Sequence, residues 1–172
     1  VRLVFEKGVY GEVLGLTDTG SRRIRFSLNP RQASAGESVD EALKRLGNAP
    51  LPPYITAALS KPDDYQTVYA SQSGSVAAPT AGLHFTPQLL DALSGKVAAV
   101  CYLTLHIGPA TFRPIRSENV ETHPMLPEWF SLAADTADII NRVKRDGGRI
   151  VAVGTSTCRV LESCADEAGL LH

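Results

Sequence analysis

Pro79-Thr80-Ala81-Gly82-Leu83-His84-Phe85 leads directly into Thr86-Pro87, and the almost unbroken apolar run from Val97 to Leu105 follows soon after. Thr86 can cap a helix and Pro87 suits its first turn, so Thr86 to Leu93 is predicted to be helical. An apolar run without polar alternation predicts a buried strand over Val97 to Leu105. The pattern then repeats. Asp135 to Arg145 is amphipathic, with Ala137, Ile140 and Val143 at helical spacing, and Gly147-Gly148 ends it. Ile150 to Val153 is a second buried-strand candidate. Ser156 or Thr157 is expected to cap a last helix that runs to about Ala168 and Gly169. Helix and strand alternate from about residue 55 onward. This predicts an α/β fold, a partly parallel mixed sheet with flanking helices.

Toward the start of the chain the pattern differs. Val1 to Phe5, Val9 to Leu16 and Arg22 to Leu28 are short strand candidates, with Thr17-Asp18-Thr19-Gly20 as a hairpin loop. They predict part of a small antiparallel β-barrel or meander. Val39 to Leu46 is a short amphipathic helix ended by Gly47 and Asn48. The Pro-rich segment Pro50-Leu51-Pro52-Pro53-Tyr54-Ile55 marks a junction. The expected domains are therefore residues 1–50 and 51–172. Val1 reads as mid-domain strand and the chain stops soon after a helix, so a piece of a longer enzyme is expected.

Bulk properties narrow the class. The chain has 172 residues, 44% hydrophobic and 20% charged, as in a globular soluble protein. No apolar run is long enough to span a membrane, and no secretory leader is recognised. Three cysteines, Cys101, Cys158 and Cys164, lack CxxC spacing and suggest reduced thiols in the cytoplasm. A net charge of −1 leaves nucleic-acid contact to local patches. The candidates are Arg22-Arg23-Arg25, Arg113 with Arg116, and Lys144-Arg145 with Arg149, for each of which a solvated face is the usual explanation.

Several loops carry chemistry-bearing residues. Val153-Gly154-Thr155-Ser156-Thr157 joins a strand to a helix, where free backbone N–H groups favour an anion, and Arg159 can add a bidentate contact. Ordinary capping, with Arg159 paired to Glu162 on the helix surface, explains the same residues equally well. His84, His106 and His123 are candidate general bases, because histidine titrates near neutrality. Their spacing does not suit a metal site, and at least one is expected to be structural. Glu128 is either a ligand contact or a solvated acid. Trp129 and Phe130 are more often core than stacking platforms. Cys158 near a helix start is a weak nucleophile candidate. Glycine-rich dinucleotide and P-loop motifs are absent.

Together these stretches resemble the S-adenosylmethionine:tRNA ribosyltransferase-isomerase family of queuosine biosynthesis. The matching pieces are Pro50 to Ile55, Tyr65-Gln66-Thr67-Val68-Tyr69-Ala70, Val76 to Phe85 and Thr104-Leu105-His106. They continue with Thr111-Phe112, Pro114, His123, Met125, Glu128-Trp129, Gly148-Arg149, Val151 to Thr155, Arg159 and Leu161-Glu162-Ser163. The resemblance implies transfer and isomerisation of the ribosyl unit of S-adenosylmethionine onto 7-aminomethyl-7-deazaguanine in a tRNA anticodon loop. Adenine and methionine leave, and epoxyqueuosine is formed. It implies His84 and His106 as catalytic candidates. Thr80, Gly82, Thr111, His123, Glu128, Gly154, Thr155 and Arg159 are substrate-binding candidates. S-adenosylmethionine is the ribosyl-donor substrate, no metal is expected, and the partner is a tRNA with a GUN-type anticodon. A cytoplasmic monomer without membrane contact is expected. The chain departs from the family pattern at Leu126, where a second histidine is usual, at Ala110, where glycine is usual, and at Ser156-Thr157. Two alternatives remain. One is a divergent S-adenosylmethionine enzyme with a small non-tRNA acceptor, and the other is a non-catalytic tRNA-binding module.

Overall fold

The computed structural model describes residues 1–17, 20–32, 34–48, 50–52, 55–57, 59, 61–112, 117–123 and 125–172. Asp18 and Thr19 of the hairpin loop, Pro53 and Tyr54 of the junction, the Arg113 and Arg116 patch, and Pro114 lie outside the described residues. The chain divides into two compact units, Val1–Asn48 and Ala49–His172.

The first unit is built from consecutive strands β1 (Arg2–Val4), β2 (Val9–Leu16) and β3 (Arg22–Leu28), in the order β1-β2-β3. Both pairings are antiparallel: Arg2 faces Glu12, which faces Arg25, and Leu3 faces Gly11, which faces Phe26. Since residues directly opposite share a face, Arg2, Glu12 and Arg25 line one side of the sheet. The other side carries the apolar set, where Phe5 meets Phe26 with ring centroids 5.9 Å apart. A register shift between Val13 and Gly15 bends β2. The result is a meander, with no closed barrel among the described residues.

Helix α1 (Val39–Leu46) follows, with the predicted bounds. Ser38 starts it through a reciprocal capping box. The Glu41 backbone N–H donates to Ser38 Oγ at 3.2 Å, and the Ser38 N–H donates to Glu41 Oε2 at 2.8 Å. Those Ser38 bonds hold the Glu41 carboxyl below its usual range.

The second unit mixes helices with short strands. Helix α2 (Pro87–Ser94) starts as predicted: the Leu89 N–H donates to Thr86 Oγ1, and Pro87 occupies the first turn. Strand β4 (Thr104–Leu105) pairs antiparallel with β5 (Phe130–Ser131). Helix α3 (Ala134–Arg145) ends as the double glycine predicts, with Gly147 N–H donating to Lys144 O and Gly148 N–H to Val143 O.

The following expectations change here. Of the run Val97 to Leu105 only the last two residues join a ladder, and Val97 and Tyr102 are exposed. Ile150 to Val153 has no ladder partner among the described residues, and Val151 is 71% exposed. An extended apolar segment becomes a buried strand only where neighbours supply hydrogen bonds and cover both faces. Every ladder among the described residues is antiparallel. Helix α4 (Thr155–Cys164) starts at Thr155, capped by Gly154, while the Thr157 hydroxyl donates back to Val153 O at 2.8 Å. It stops at Cys164, short of the expected Gly169, because Ala165 turns extended and bridges to Leu171.

Candidate functional site

The site grows from the start of α4. Gly154 has φ +88, a backbone region that costs any residue with a Cβ and suits glycine. No side chain caps the helix there, so among the described residues the first N–H groups of α4 have no side-chain acceptor. A Cβ at Gly154 would sit 3.7 Å from that of Ala81, so the turn Thr80–His84 lies against the helix start.

That turn is anchored from behind by Tyr69. Gly82 is buried, and a Cβ there would come within 2.8 Å of Thr67 Cγ2 and closer still to the Tyr69 hydroxyl. Only glycine leaves room for the phenol. Burial holds the Tyr69 phenol above its ordinary range, reinforced by neighbouring Tyr102, so it remains a neutral O–H hydrogen-bonded with Thr67. The ring also meets Tyr102, with centroids 5.7 Å apart. His84 ends the turn with its side chain exposed, and among the described residues its ring makes no hydrogen bond.

One helical turn beyond Thr155, on the same face of α4, stands Arg159. Its guanidinium pairs with Glu128 and donates to Leu126 O at 2.9 Å. Glu128, whose side chain is only 10% exposed, also accepts the Gly108 N–H at 2.7 Å. The two candidate ligand contacts therefore satisfy each other, and they bind three segments together. Arg159 does not pair with Glu162 on its own helix. A buried carboxylate held by a guanidinium and a backbone N–H is a rigid strut.

His106 lies just before Gly108. Its N–H donates to Trp129 O at 2.8 Å, and its ring packs on the indole with centroids 4.7 Å apart. Its Nε2 is buried without a hydrogen-bond partner among the described residues. Gly74 presses on the same imidazole, so that a Cβ there would lie 3.0 Å from Nε2 and nearer to other ring atoms. Ser75 ties that segment down by accepting the Ile107 N–H at 2.9 Å.

The predicted residues thus fall into groups. Thr80, Gly82 and His84 share one turn, which meets Gly154 through Ala81. Glu128 and Arg159 form the strut beside His106. His123 has its Nδ1 3.4 Å from Ser117 Oγ. Thr111 is exposed in a short turn, its N–H donating to Gly108 O at 3.2 Å. Trp129 is 58% exposed, against the core reading. Thr67 and Tyr69 belong to the Tyr65 to Ala70 piece of the resemblance without a role of their own, and Gly74 carries no pattern in sequence; their importance comes from fitting against Gly82 and His106. Among the described residues no group of three or more His, Cys, Asp or Glu side chains could hold a metal ion. No helix among them is long and apolar enough to cross a membrane.

The family model for queuosine biosynthesis proteins matches residues 2–170. The chain belongs to the queuosine biosynthesis protein family. Within that family, the S-adenosylmethionine:tRNA ribosyltransferase-isomerase of Acetivibrio thermocellus is 45% identical over 172 residues, covering 99% of this chain and 48% of the relative. The protein of the same name from Desulfitobacterium hafniense is 47% identical over 171 residues, with the same coverage. That of Clostridioides difficile is 46% identical over 159 residues, or 92% of this chain and 45% of the relative. The chain spans about half the length of the curated relatives it matches.

Proposed function

We propose that this chain carries part of the active site of an S-adenosylmethionine:tRNA ribosyltransferase-isomerase. It would serve to transfer and isomerise the ribosyl unit of S-adenosylmethionine onto 7-aminomethyl-7-deazaguanine in a GUN-type anticodon loop. The observation that carries this reading is the seating of the His84 turn against the start of α4. Relatives at about 45% identity bear that name.

The chemistry suits the arrangement. A sulfonium acidifies the adjacent ribose C5′ protons, and a histidine free of other partners can accept one near neutral pH. His84 is the candidate for that step, since its side chain is exposed and its ring makes no hydrogen bond among the described residues, whereas His106 is engaged with Trp129 and Gly74. The N–H groups of Thr155 and its neighbours suit a carboxylate or phosphate. Thr80 and Gly82 shape the opposing wall, and Thr111 and His123 are further contacts. Glu128 and Arg159 act by holding the site's geometry, with the outer guanidinium N–H groups available to a ligand. Such fixed placement lowers the cost of aligning donor and acceptor. In the whole protein the meander is part of a small barrel and the apolar segments belong to a partly parallel sheet. The protein acts as a cytoplasmic monomer without a metal.

The test is turnover by the full-length protein with S-adenosylmethionine and tRNA bearing the aminomethyl base, read by mass spectrometry. Adenine release should require the modified tRNA and vanish in His84→Ala. Release without RNA would instead favour a small acceptor.

A further inference from the structure

We propose that Tyr69 is a positioning residue for His84: its hydroxyl stands where a side chain at position 82 would be, and so sets how closely the Thr80–His84 turn lies against the start of α4. This role rests on the reading above that His84 receives the proton. The contacts that carry it all lie within the unit Ala49–His172.

The turn is a short 3-10 helix closed by its own backbone. The Gly82 N–H donates to Pro79 O at 2.7 Å, and the Phe85 N–H donates to Gly82 O at 3.1 Å. With three residues per turn, side chains three apart stack over one another, so Ala81 and His84 share one edge. Ala81 Cβ lies 3.7 Å from where a Gly154 Cβ would be. His84 therefore stands on the edge that faces α4. Gly82 presents the adjoining edge, and there the phenol closes on it. Tyr69 Cζ is 3.0 Å and Thr67 Cγ2 2.8 Å from the place a Cβ would take, and the Tyr69 hydroxyl is nearer than either. A turn this short shifts as one piece, so movement at Gly82 is passed to Ala81 and His84 together.

Tyr69 is itself held in place. Thr67 is buried, and its carbonyl accepts the Ala70 N–H at 3.2 Å, closing the tight turn that carries Tyr69. Tyr102 lies beside the ring, with centroids 5.7 Å apart, and Thr67 hydrogen-bonds the phenol. An oxygen fixed by its turn, by a ring neighbour and by a hydrogen bond acts as a stop. Phenylalanine keeps the ring and its contact with Tyr102 and removes the stop. The turn then settles toward the ring, and Ala81 and His84 draw back from the helix start. Misplacing a reacting group by about 1 Å can cost about a hundredfold in rate, so a one-atom gap partly closed by relaxation calls for about tenfold.

The experiment uses the full-length protein, S-adenosylmethionine and tRNA bearing the aminomethyl base. The imidazole resonance of His84, assigned by its loss in His84→Ala, is followed by NMR in wild type and in Tyr69→Phe, and adenine release gives kcat and KM. Tyr69→Phe should move or broaden that resonance. It should also lower kcat about tenfold, while the KM for S-adenosylmethionine stays within about threefold of wild type. A mere loss of folded protein lowers the rate and leaves the resonance of the folded form where it was, so the two causes are told apart. An unmoved His84 resonance, an unchanged kcat, or a loss confined to KM would each overturn the proposal. A displaced resonance in a protein without any turnover would leave the seating of His84 on Tyr69 standing and remove the enzymatic reading. Turnover with an unmoved resonance would do the reverse.

Discussion

The two units are held by different means. In Val1–Asn48 the ties join elements consecutive along the chain: β1, β2 and β3 pair in order, and the α1 cap spans three residues. In Ala49–His172 the decisive ties reach far along the chain. Glu128 and Arg159 are 31 residues apart, Gly108 and Glu128 are 20 apart, and Ser75 and Ile107 are 32 apart. Local ties can form early and independently. Distant ties hold only when the whole unit is assembled, which makes that unit cooperative and makes single side chains decisive within it.

The sharpest way to break this contrast is Arg159→Ala. It leaves the buried Glu128 carboxylate with one N–H partner and Leu126 O without its donor. The expected loss is about 3 kcal/mol of unfolding free energy in the second unit, measured by denaturant titration. Glu128→Gln should cost less, because its amide oxygen still accepts the Gly108 N–H. Next comes Gly82→Ala, whose methyl would collide with Tyr69 and Thr67. A loss of about 2 kcal/mol is expected, partly restored by adding Tyr69→Phe, as a double-mutant cycle would show.

Helix caps should give a smaller effect that does not distinguish the units. Ser38→Ala in the first and Thr86→Ala in the second should each cost about 1 kcal/mol, seen as lower helix protection in hydrogen exchange. If either matched the effect of Arg159→Ala, the division into local and distant support would fail.

The smallest effect is acid dependence of α1. A hydrogen bond from Arg45 holds the Glu37 carboxyl below its ordinary value of 4.5, and bonds from Ser38 do the same for Glu41. A lowered folded-state value means the stabilisation is complete above about pH 4.5 and is lost as pH falls through the lower folded value. Amide shifts of residues 38–46 should therefore begin to move below pH 4.5, while the Arg45 partner stays charged. Unchanged shifts down to pH 2 would show that these carboxylates do not support the helix.

The same division explains what was legible in the sequence. Capping residues and glycine stops act within a few positions, so α1, the start of α2 and the end of α3 could be read directly. The strand bounds of the first unit followed from alternation and turns. Composition alone misplaced the start of α4, because a glycine at positive φ outcompeted Ser156 and Thr157 as the cap. The apolar runs Val97 to Leu105 and Ile150 to Val153 named strand formers, but pairing needs a neighbour that no local pattern supplies. In the site, the His84 turn and the Gly154 loop were visible as motifs. The pairing of Glu128 with Arg159, the fit of Tyr69 under Gly82 and the backing of Trp129 by His106 were not, since each depends on separate segments meeting in space.

A quieter feature lies where α3 meets the last residues. The Asn141 side chain donates to Leu171 O at 3.0 Å and accepts the Leu171 N–H at 2.9 Å, while Lys144 Nζ donates to Ala168 O and Gly169 O. A carboxamide has the donor and acceptor of a peptide unit, so Asn141 imitates one rung of main chain. The helix in effect lends a borrowed peptide group to a segment that needs both halves of it. Aspartate in that place would keep the acceptor and lose the donor, and glutamine would keep both and shift their reach. One side chain thus carries a grammar usually written in backbone, and only asparagine spells it.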